Sequence, residues 1–421
     1  VRGGIGSDRV VGMRISGDEY FEGGLTLDDT LLIVPRLEAT GQLDFIHVGA
    51  GPGAASHIPP SYRKAGSFVY LTEAIRKVTD LALICSQRVN DPLIAESVLA
   101  SGAADLVSMN RAIMTDPEMP TKAREGRLEE IRHCIACNEC IARGRIGMPI
   151  ACTMNAELGR EQQMAIEKTD TPRHVLVVGG GPAGLEAARV ASLRGHRVTL
   201  YEKGATLGGQ PLIASQAPGR EELDEVRRYY TYQMGLQEVD VHLNTEATSE
   251  TIEQEAPDAV VIATGSRAIL SELTADDVPV VDVRTILSGE ADIEPGQRVV
   301  LQAEDHHMQG LTAADFLVEK GCEVQVLTEA VYAGSQIETG TLETLYQRLL
   351  TKGVTITPLT TIKLIDGRTV VTENTISKAE ARIQGVDMIV ASYGNEASDE
   401  LYREVKSDAD STSNIPALYL I

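Results

Sequence analysis

The chain has 421 residues, which is too long for one ordinary domain and long enough for two or three domains with separate cores. Its 61 acidic and 38 basic residues leave a net charge of -23, which disfavours nucleic acid as a partner. No apolar run approaches the roughly 20 residues that span a bilayer, and the N-terminus lacks a signal-peptide pattern. We therefore expect a cytoplasmic protein with no membrane partner.

Short apolar strands alternate with helical stretches in the first 125 residues. The intervening helices carry start signals, such as Asp91 as N-cap and Pro92 at the first helical position. Such a repeated strand–helix unit favours an α/β fold with parallel strands, and four units would form the C-terminal half of a TIM (β/α)8 barrel. Since four strands alone leave two open edges, we expect residues 1–125 to be a barrel portion whose N-terminal half is absent. The predicted strands are 10–15, 43–48, 81–85 and 105–109.

The sequence beyond residue 165 has a different organisation. A polar stretch, 167–172, ends in proline and predicts a linker. A strand, a glycine-rich turn, a helix and a second strand then follow, which is the opening of a doubly wound Rossmann-like domain. A further strand–helix–strand unit, 299–328, predicts an inserted nucleotide-binding-like domain. The expected bounds are 170–290 for the first part of an ADP/FAD-binding domain, 291–385 for the inserted NAD(P)-binding-like domain, and 386–421 for the return to the first domain, truncated at its end.

Four of the six cysteines have the spacing C-x2-C-x2-C-x11-C: Cys134, Cys137, Cys140 and Cys152. Iron–sulfur clusters are held by four thiolates, and a tight triplet with a more distant fourth suits the corners of a cube. A zinc site usually pairs two C-x2-C knuckles, and the second knuckle is missing here. Four unrelated buried thiols are the third interpretation. We therefore predict a small 4Fe-4S segment at 126–165, with Cys85 and Cys322 as core residues.

A glycine fingerprint, 179–184, follows a predicted strand and opens a helix. Gly179 permits the tight turn, Gly181 lets backbone amides approach a pyrophosphate, and Gly184 allows close helix–strand packing. Glu202 can accept hydrogen bonds from ribose hydroxyls and argues against a 2′-phosphate. A glycine-rich turn without a ligand is the alternative, and the Gly209 segment is equally compatible with an ordinary loop. The predicted nucleotide-binding residues are Gly179, Gly181, Ala183, Gly184, Glu202, Lys203, Gly209, Gln210, Ala263, Thr264 and Gly265.

Five polar residues stand at the ends of predicted barrel strands, where ligands bind in TIM barrels: Arg14, His47, Arg88, Asn110 and Arg111. Barrels commonly bind a phosphate after their last two strands, which is where the last three of these residues fall. His47 can exchange protons near neutral pH and is the catalytic candidate, with the main catalytic residues expected in the absent part. A structural histidine and solvated surface arginines are the alternatives.

The chain resembles the multidomain relatives of old yellow enzyme, which include trimethylamine dehydrogenase and 2,4-dienoyl-CoA reductase. The likeness rests on the segments 11–19, 104–112 and 134–141 and on the glycine fingerprint. It implies FMN in the barrel, a 4Fe-4S cluster beside it, and ADP or FAD in the nucleotide domain. The FMN contacts that it implies are Arg14 at the flavin ring and Arg88, Asn110 and Arg111 at the phosphate.

Three features separate the branches of this family. Two residues, Asn138 and Glu139, lie between the second and third cysteines, as in amine dehydrogenases, whereas dienoyl reductases have three. The proton-donating histidine of dienoyl reductases has no counterpart where Gly53 stands. Gln87 replaces the glycine usually found before the phosphate-binding arginine, as in some N-methylproline demethylase-like members. The resemblance favours demethylation of a secondary or tertiary amine, with electrons passing to an electron-transferring flavoprotein.

Two other functions stay open. In an NAD(P)H-dependent dienoyl-CoA or enoate reductase, the inserted domain would bind the nicotinamide donor and the substrate would be an enoyl compound. The first strand of that domain leads into 301–307, which has no glycine fingerprint. In a subunit that only relays electrons, the barrel would have lost catalysis. The exact amine, covalent attachment of FMN, and assembly into a homo-oligomer are not fixed by these patterns.

Overall fold

The computed structural model describes residues 1–51, 58–270, 275, 277–409 and 417–421. The chain forms two compact units, an N-terminal unit of residues 1–160 with 338–344 and a C-terminal unit of residues 161–337 with 345–421. Within the described ranges, no helix has the length and apolar character needed to cross a bilayer.

The described part of the N-terminal unit has one parallel sheet of four strands in the order β1-β2-β3-β4. The strands are β1 Gly12–Ser16, β2 Phe45–Gly49, β3 Ala82–Cys85 and β4 Leu106–Val107. Each overlaps one of the four predicted strands. The helices are α1 Arg2–Ile5, α2 Leu27–Glu38, α3 Val69–Arg76, α4 Pro92–Ala100, α5 Asn110–Thr115, α6 Met119–Arg124 and α7 Glu139–Arg145, with a 3-10 turn at Leu128–Glu130.

Local sequence signals start these helices and an apolar core covers the sheet. The Asp91 side chain accepts a hydrogen bond from the Leu93 backbone N–H, and Pro92 occupies the first turn of α4, as predicted. The sheet buries Ile46 and Leu83 completely against Ile75 of α3. Because the strands are parallel and in register, their carboxyl ends meet at one edge.

Two parallel sheets of five strands each form the described frame of the C-terminal unit. The first sheet has the order β19-β8-β5-β6-β7, with strands β5 His174–Val178, β6 Arg197–Tyr201, β7 Asp240–His242, β8 Ala259–Ile262 and β19 Ala417–Leu420. The second has the order β10-β17-β11-β12-β13, with strands β10 Val280–Asp282, β11 Arg298–Ala303, β12 Glu323–Leu327, β13 Thr355–Thr357 and β17 Met388–Ser392.

Smaller antiparallel sheets and helices complete this part of the chain. The pair β9 Ser266–Ala268 and β18 Asn395–Ala397 is antiparallel, as is the sheet of β14 Thr360–Asp366, β15 Thr369–Asn374 and β16 Glu380–Gln384. The helices after residue 160 are α8 Pro182–Leu193, α9 Gln210–Ala214, α10 Glu225–Leu236, α11 Ser249–Glu255, α12 Val283–Ser288, α13 Gln309–Glu319, α14 Thr339–Thr351 and α15 Glu400–Ala409, with a 3-10 turn at Glu221–Asp224.

The second sheet draws on strands from both sides of the predicted insertion, because β10 and β17 pair with each other and β17 pairs with β11. The domain bounds given above stay a prediction. The alternating strands and helices of both sheets agree with a doubly wound α/β fold.

Two buried polar groups stabilise the C-terminal unit. The Asp315 side chain is fully buried and forms ion pairs with Arg348 Nε at 2.9 Å and Lys352 Nζ at 2.8 Å. His174, at the start of β5, is buried with its Nε2 3.0 Å from Thr199 Oγ1. Both oxygens of the Asp315 carboxylate thus find partners, whereas His174 Nδ1 is buried with no hydrogen-bond partner among the described residues.

Candidate functional site

A cleft of about 600 Å³ opens at the carboxyl edge of the N-terminal sheet. All five polar residues predicted for the barrel line it: Arg14, His47, Arg88, Asn110 and Arg111. Arg14 and His47 are directly opposite each other on β1 and β2, which brings a cation and an imidazole together. Gly53, the position that bears on the reductase alternative, lies outside the described residues.

His47 presents an unused ring nitrogen in this cleft. Its Nε2 atom is buried and finds no hydrogen-bond partner among the residues that the structure describes. Burial, with the charge of Arg14 adding to it, lowers the pKa of His47. The imidazole is therefore neutral near pH 7 and can donate or accept one hydrogen bond to a bound molecule.

The end of β3 has a strained backbone. Gln87 and Arg88 both have positive φ angles, 74° and 54°, which L residues with side chains adopt only at a cost. A glycine would take the first of these conformations without strain. The turn buries the Arg88 side chain, whose Nε donates to the Arg63 carbonyl at 2.7 Å.

The four clustered cysteines border one small cavity in the N-terminal unit, and within the described chain none forms a disulfide. Two residues with positive φ angles, Ala136 at 47° and Asn138 at 60°, bend the loop between the first three cysteines. Hydroxyl groups approach two of the sulfur atoms, with Thr153 Oγ1 3.1 Å from Cys137 Sγ and Thr115 Oγ1 3.6 Å from Cys152 Sγ.

Burial disfavours the anionic form of two thiols in this cavity, Cys137 and Cys140. Burial, followed by repulsion from the neighbouring thiols, raises the pKa of Cys140 to about 12. Burial likewise raises the pKa of Cys137. In the part of the chain that the structure covers, no trio of His, Cys, Asp or Glu is arranged to hold a single metal ion. Four thiols around a shared space suit a multi-iron cluster, in which each iron takes one thiolate, better than a single zinc ion.

Arg111 lines both the cysteine cavity and the cleft that contains His47. Its Nη1 donates to Asn138 Oδ1 at 2.5 Å, and Nη1 and Nη2 both lie 3.1 Å from the Pro59 carbonyl. The Asn138 amide donates to the Ile58 carbonyl at 3.0 Å and to Glu338 Oε2 at 3.3 Å. Hydrogen bonds therefore hold the Arg111 cation between the two cavities.

A second cleft, of about 770 Å³, lies in the C-terminal unit at the carboxyl edge of the first sheet. Among the predicted nucleotide-binding residues, those that line it are Gly179, Gly181, Ala183, Glu202, Lys203, Gly209, Gln210, Ala263, Thr264 and Gly265. Gly184 does not line the cleft but packs α8 against the sheet, which is the role expected of the third glycine.

The three glycines of the fingerprint meet different surroundings. A Cβ on Gly179 would lie 2.3 Å from the Ala263 carbonyl oxygen, and one on Gly184 would lie 2.0 Å from the Gly179 carbonyl oxygen. A Cβ on Gly181 would meet no described atom within 4 Å, so its side faces open space. Gly181 is the N-cap of α8 and, in the described structure, no side chain caps this helix end. Its amides are therefore available for an anion.

Glu202 lies at the end of β6, as predicted, and organises the backbone around the cleft. Its Oε2 accepts from the Gly180 amide and its Oε1 from the Gly204 amide, each at 2.6 Å. A carboxylate oxygen has a second acceptor position, so hydrogen bonds from a ribose remain available.

Several polar residues of this cleft were missed by the sequence patterns, and among them are Arg267 and Arg284, the latter on α12. A single arginine more than 80 residues beyond Glu202 belongs to no motif, so local spacing could not identify it.

Residues 173–417 match the pyridine nucleotide-disulphide oxidoreductase family, and residues 1–130 match the NADH:flavin oxidoreductase / NADH oxidase family. Together these families imply a flavin cofactor.

Individual relatives agree with both assignments. The chain is 35% identical to N,N-dimethylglycine/sarcosine dehydrogenase of Chromohalobacter salexigens, over 100% of this chain and 63% of that protein. It is 34% identical to a probable N-methylproline demethylase of Rhizobium meliloti, over 96% of this chain and 61% of that protein. Histamine dehydrogenase from Rhizobium sp. 4-9 superimposes with a TM-score of 0.92 at 25% identity, over 100% of this chain and 63% of that chain.

The chain thus spans less than two thirds of the length of these relatives. The NADH:flavin oxidoreductase match covers the N-terminal cleft and the pyridine nucleotide-disulphide oxidoreductase match covers the C-terminal cleft. These two matches confirm the predicted resemblance to multidomain relatives of old yellow enzyme. The chain belongs to the old yellow enzyme-like family of flavoprotein oxidoreductases, in which an NADH:flavin oxidoreductase domain precedes a pyridine nucleotide-disulphide oxidoreductase domain.

Proposed function

We propose that this protein is an iron–sulfur flavoprotein that demethylates a secondary or tertiary amine and passes the electrons to an electron-transferring flavoprotein. The observation that carries the proposal is the position of Arg111, which borders both the four-cysteine cavity and the cleft of Arg14 and His47. Two electron carriers, one in each cavity, would be separated from each other by little more than the Arg111 side chain. The names of the relatives, which specify methylated amines and histamine, support an amine as the substrate.

We assign FMN to the cleft of the N-terminal unit within residues 1–125 and a 4Fe-4S cluster to residues 126–165. Arg14 would meet the flavin ring, and Arg88, Asn110 and Arg111 the phosphate. FMN held by these residues would supply two-electron oxidation of the carbon beside the amine nitrogen, and a cluster held by the four cysteines would supply one-electron transfer. The neutral His47 can hold a hydrogen bond to the flavin or the substrate without adding charge.

We assign ADP or FAD to the second cleft. Its pyrophosphate would bind the amides at the start of α8, where Gly181 leaves open space, and its ribose would face Glu202. We retain the domain bounds of 170–290, 291–385 and 386–421 as part of this proposal.

The start of α13 argues against the alternative, a nicotinamide-driven enoyl reductase. Asp305 precedes this helix, and its carboxylate accepts hydrogen bonds from the backbone amides of Gln309 at 3.0 Å and Gly310 at 3.2 Å. These amides are the ones that a dinucleotide pyrophosphate would need. A negatively charged side chain of the protein already satisfies them, which disfavours NAD(P)H at this sheet.

Anaerobic titration tests the proposal. The holoprotein should contain about four iron atoms per chain and lose its flavin absorbance on addition of sarcosine, dimethylglycine or N-methylproline. Persistence of the oxidised flavin spectrum with every amine, together with rapid bleaching by NADH, would favour the enoyl reductase. If the holoprotein contains iron and nucleotide but neither the amines nor NADH bleach the flavin, the protein would be a subunit that only relays electrons.

A further inference from the structure

The nucleotide cleft contains an arginine, Arg284, that forms no ion pair with a carboxylate of the described residues. Arg284 lines this cleft on α12, together with Gly181 and Gln210. Its Nη1 donates to the Ser266 carbonyl at 2.5 Å, and its Nη2 donates to Ser266 Oγ at 3.1 Å and Asn395 Oδ1 at 2.6 Å. Throughout the described residues, no carboxylate forms an ion pair with this guanidinium.

The nearest acidic residue in sequence has a different role. The Asp282 carboxylate caps α12, where it accepts from the Arg284 amide at 2.6 Å and from Thr285 Oγ1 at 3.0 Å. Burial lowers the pKa of Arg284, and the charge of Asp282 acts in the opposite direction with a smaller effect. A half-buried guanidinium whose hydrogen bonds go to neutral acceptors remains able to bind an anion.

The second arginine of the same cleft provides a contrast. Arg267 Nε pairs with Glu396 Oε1 at 2.8 Å, and its Nη1 pairs with Glu400. Two carboxylates therefore offset the charge of Arg267 before any ligand binds. Of these two arginines, Arg284 is the one suited to meet a negatively charged ligand group.

Close contacts connect the amides of α8 to Arg284. Gly209 packs on Gly181 so tightly that a Cβ on Gly209 would lie 2.9 Å from the Gly181 Cα. The adjacent Gln210 donates through Nε2 to the Ser266 carbonyl and to Ser266 Oγ, each at 3.1 Å. Since Arg284 binds the same two Ser266 atoms, it lies just beyond Gln210 along the cleft.

We propose that Arg284 is a specificity-determining residue that recognises the free terminal phosphate of a nucleoside diphosphate. This inference rests on the proposed nucleotide site. A diphosphate whose adenosine lies near Glu202 would direct its terminal phosphate from the α8 amides towards Gln210 and Arg284. The corresponding phosphate of FAD is esterified by the ribityl chain, so it carries one negative charge instead of up to two and offers Arg284 one fewer charged oxygen. AMP has no second phosphate to reach it.

Calorimetric titration of the full chain, freed of bound nucleotide, with ADP, AMP and FAD tests this inference. Arg284→Met should weaken ADP binding at least about tenfold, which is the effect of losing a charge-assisted hydrogen bond, and should change AMP binding less than about twofold. Arg284→Lys should retain part of the ADP affinity, because it keeps the charge but not the planar fork. Arg403→Met removes an exposed arginine that does not line the cleft, and as the control it should change ADP binding less than about threefold.

Two results would overturn the inference while leaving the nucleotide site in place. One is ADP affinity in Arg284→Met equal to that of the wild type, and the other is an equal loss of AMP and ADP in both Arg284 variants. Tighter binding of FAD than of ADP by the wild type would also overturn it. If the wild type binds none of the three nucleotides, the proposed nucleotide site itself is wrong.

Discussion

Replacement of Gly184 by alanine should destabilise the C-terminal unit, because Gly184 packs helix α8 against the sheet. The added methyl carbon would lie 2.0 Å from the Gly179 carbonyl oxygen and 3.2 Å from Ala263 Cβ. The distance of 2.0 Å is far shorter than a van der Waals contact. Neither the added Cβ nor the Gly179 carbonyl oxygen can rotate away, because both are attached directly to the backbone. The helix α8 must therefore move away from the sheet.

The size of the effect follows from the costs of overpacking. Insertion of a methyl group into a packed site costs typically 1–3 kcal/mol, and the 2.0 Å approach places Gly184→Ala at the upper end, about 3 kcal/mol. For a unit of this size, 1 kcal/mol corresponds to roughly 2–4 °C in melting temperature, so we expect a decrease of about 6–12 °C. Circular dichroism melts of the wild type and the variant measure it.

Gly181→Ala is the matched comparison because its methyl group would enter open space. Gly181 has φ -80° and ψ 178°, which alanine adopts without strain, so the loss of stability should stay below about 1 kcal/mol. The methyl group would instead occupy the closest approach of a pyrophosphate and weaken ADP binding at least about tenfold. A Gly184→Ala melt within about 1 °C of the wild type, or a larger loss in Gly181→Ala, would refute the packing argument.

Three further changes test other parts of the molecule. Cys140→Ser should abolish bound iron and the broad visible absorbance, as read by iron analysis, whereas Cys322→Ser should retain both. Asp315→Asn should lower the free energy of unfolding in urea by about 3 kcal/mol, the lower end for a broken buried pair because both cationic partners are partly exposed. Burial, with the charge of Arg197 adding to it, lowers the pKa of His174 below its ordinary 6.5. The unfolded chain therefore binds more protons than the folded protein as the pH falls below about 6.5. The contribution of neutral His174 to the free energy of unfolding should be fully present above about pH 6.5 and decrease below it. In melts of His174→Asn, the decrease of melting temperature with falling pH should be smaller.

Controls separate these effects from general damage. Asp224→Asn removes an exposed carboxylate paired with Arg227 and should cost less than about 1 kcal/mol. His307→Asn alters an exposed histidine and should keep the wild-type dependence of melting temperature on pH. Equal effects of Asp315→Asn and Asp224→Asn, or a wild-type pH dependence in His174→Asn, would contradict the corresponding predictions.

Much of the fold follows from patterns that repeat over short distances. The alternation of apolar strands with helices predicted the parallel sheets, and the N-cap at Asp91 with the following proline predicted the start of α4. The glycine fingerprint predicted a strand, a turn and a helix over residues 174–194, and within this segment Gly184 packs directly against the Gly179 carbonyl. Local backbone geometry and side-chain periodicity are sufficient for such features.

Other features depend on contacts between distant parts of the chain. Asn138 meets Glu338 across 200 residues, and Arg284 meets Asn395 across 111. The strands β10 and β17 join one sheet from either side of the predicted insertion. No local spacing encodes these pairings, since they are selected by which packed arrangement buries apolar surface while satisfying every polar group. The elements could thus be read from the order of the residues, but which charges face each cleft depended on how those elements pack.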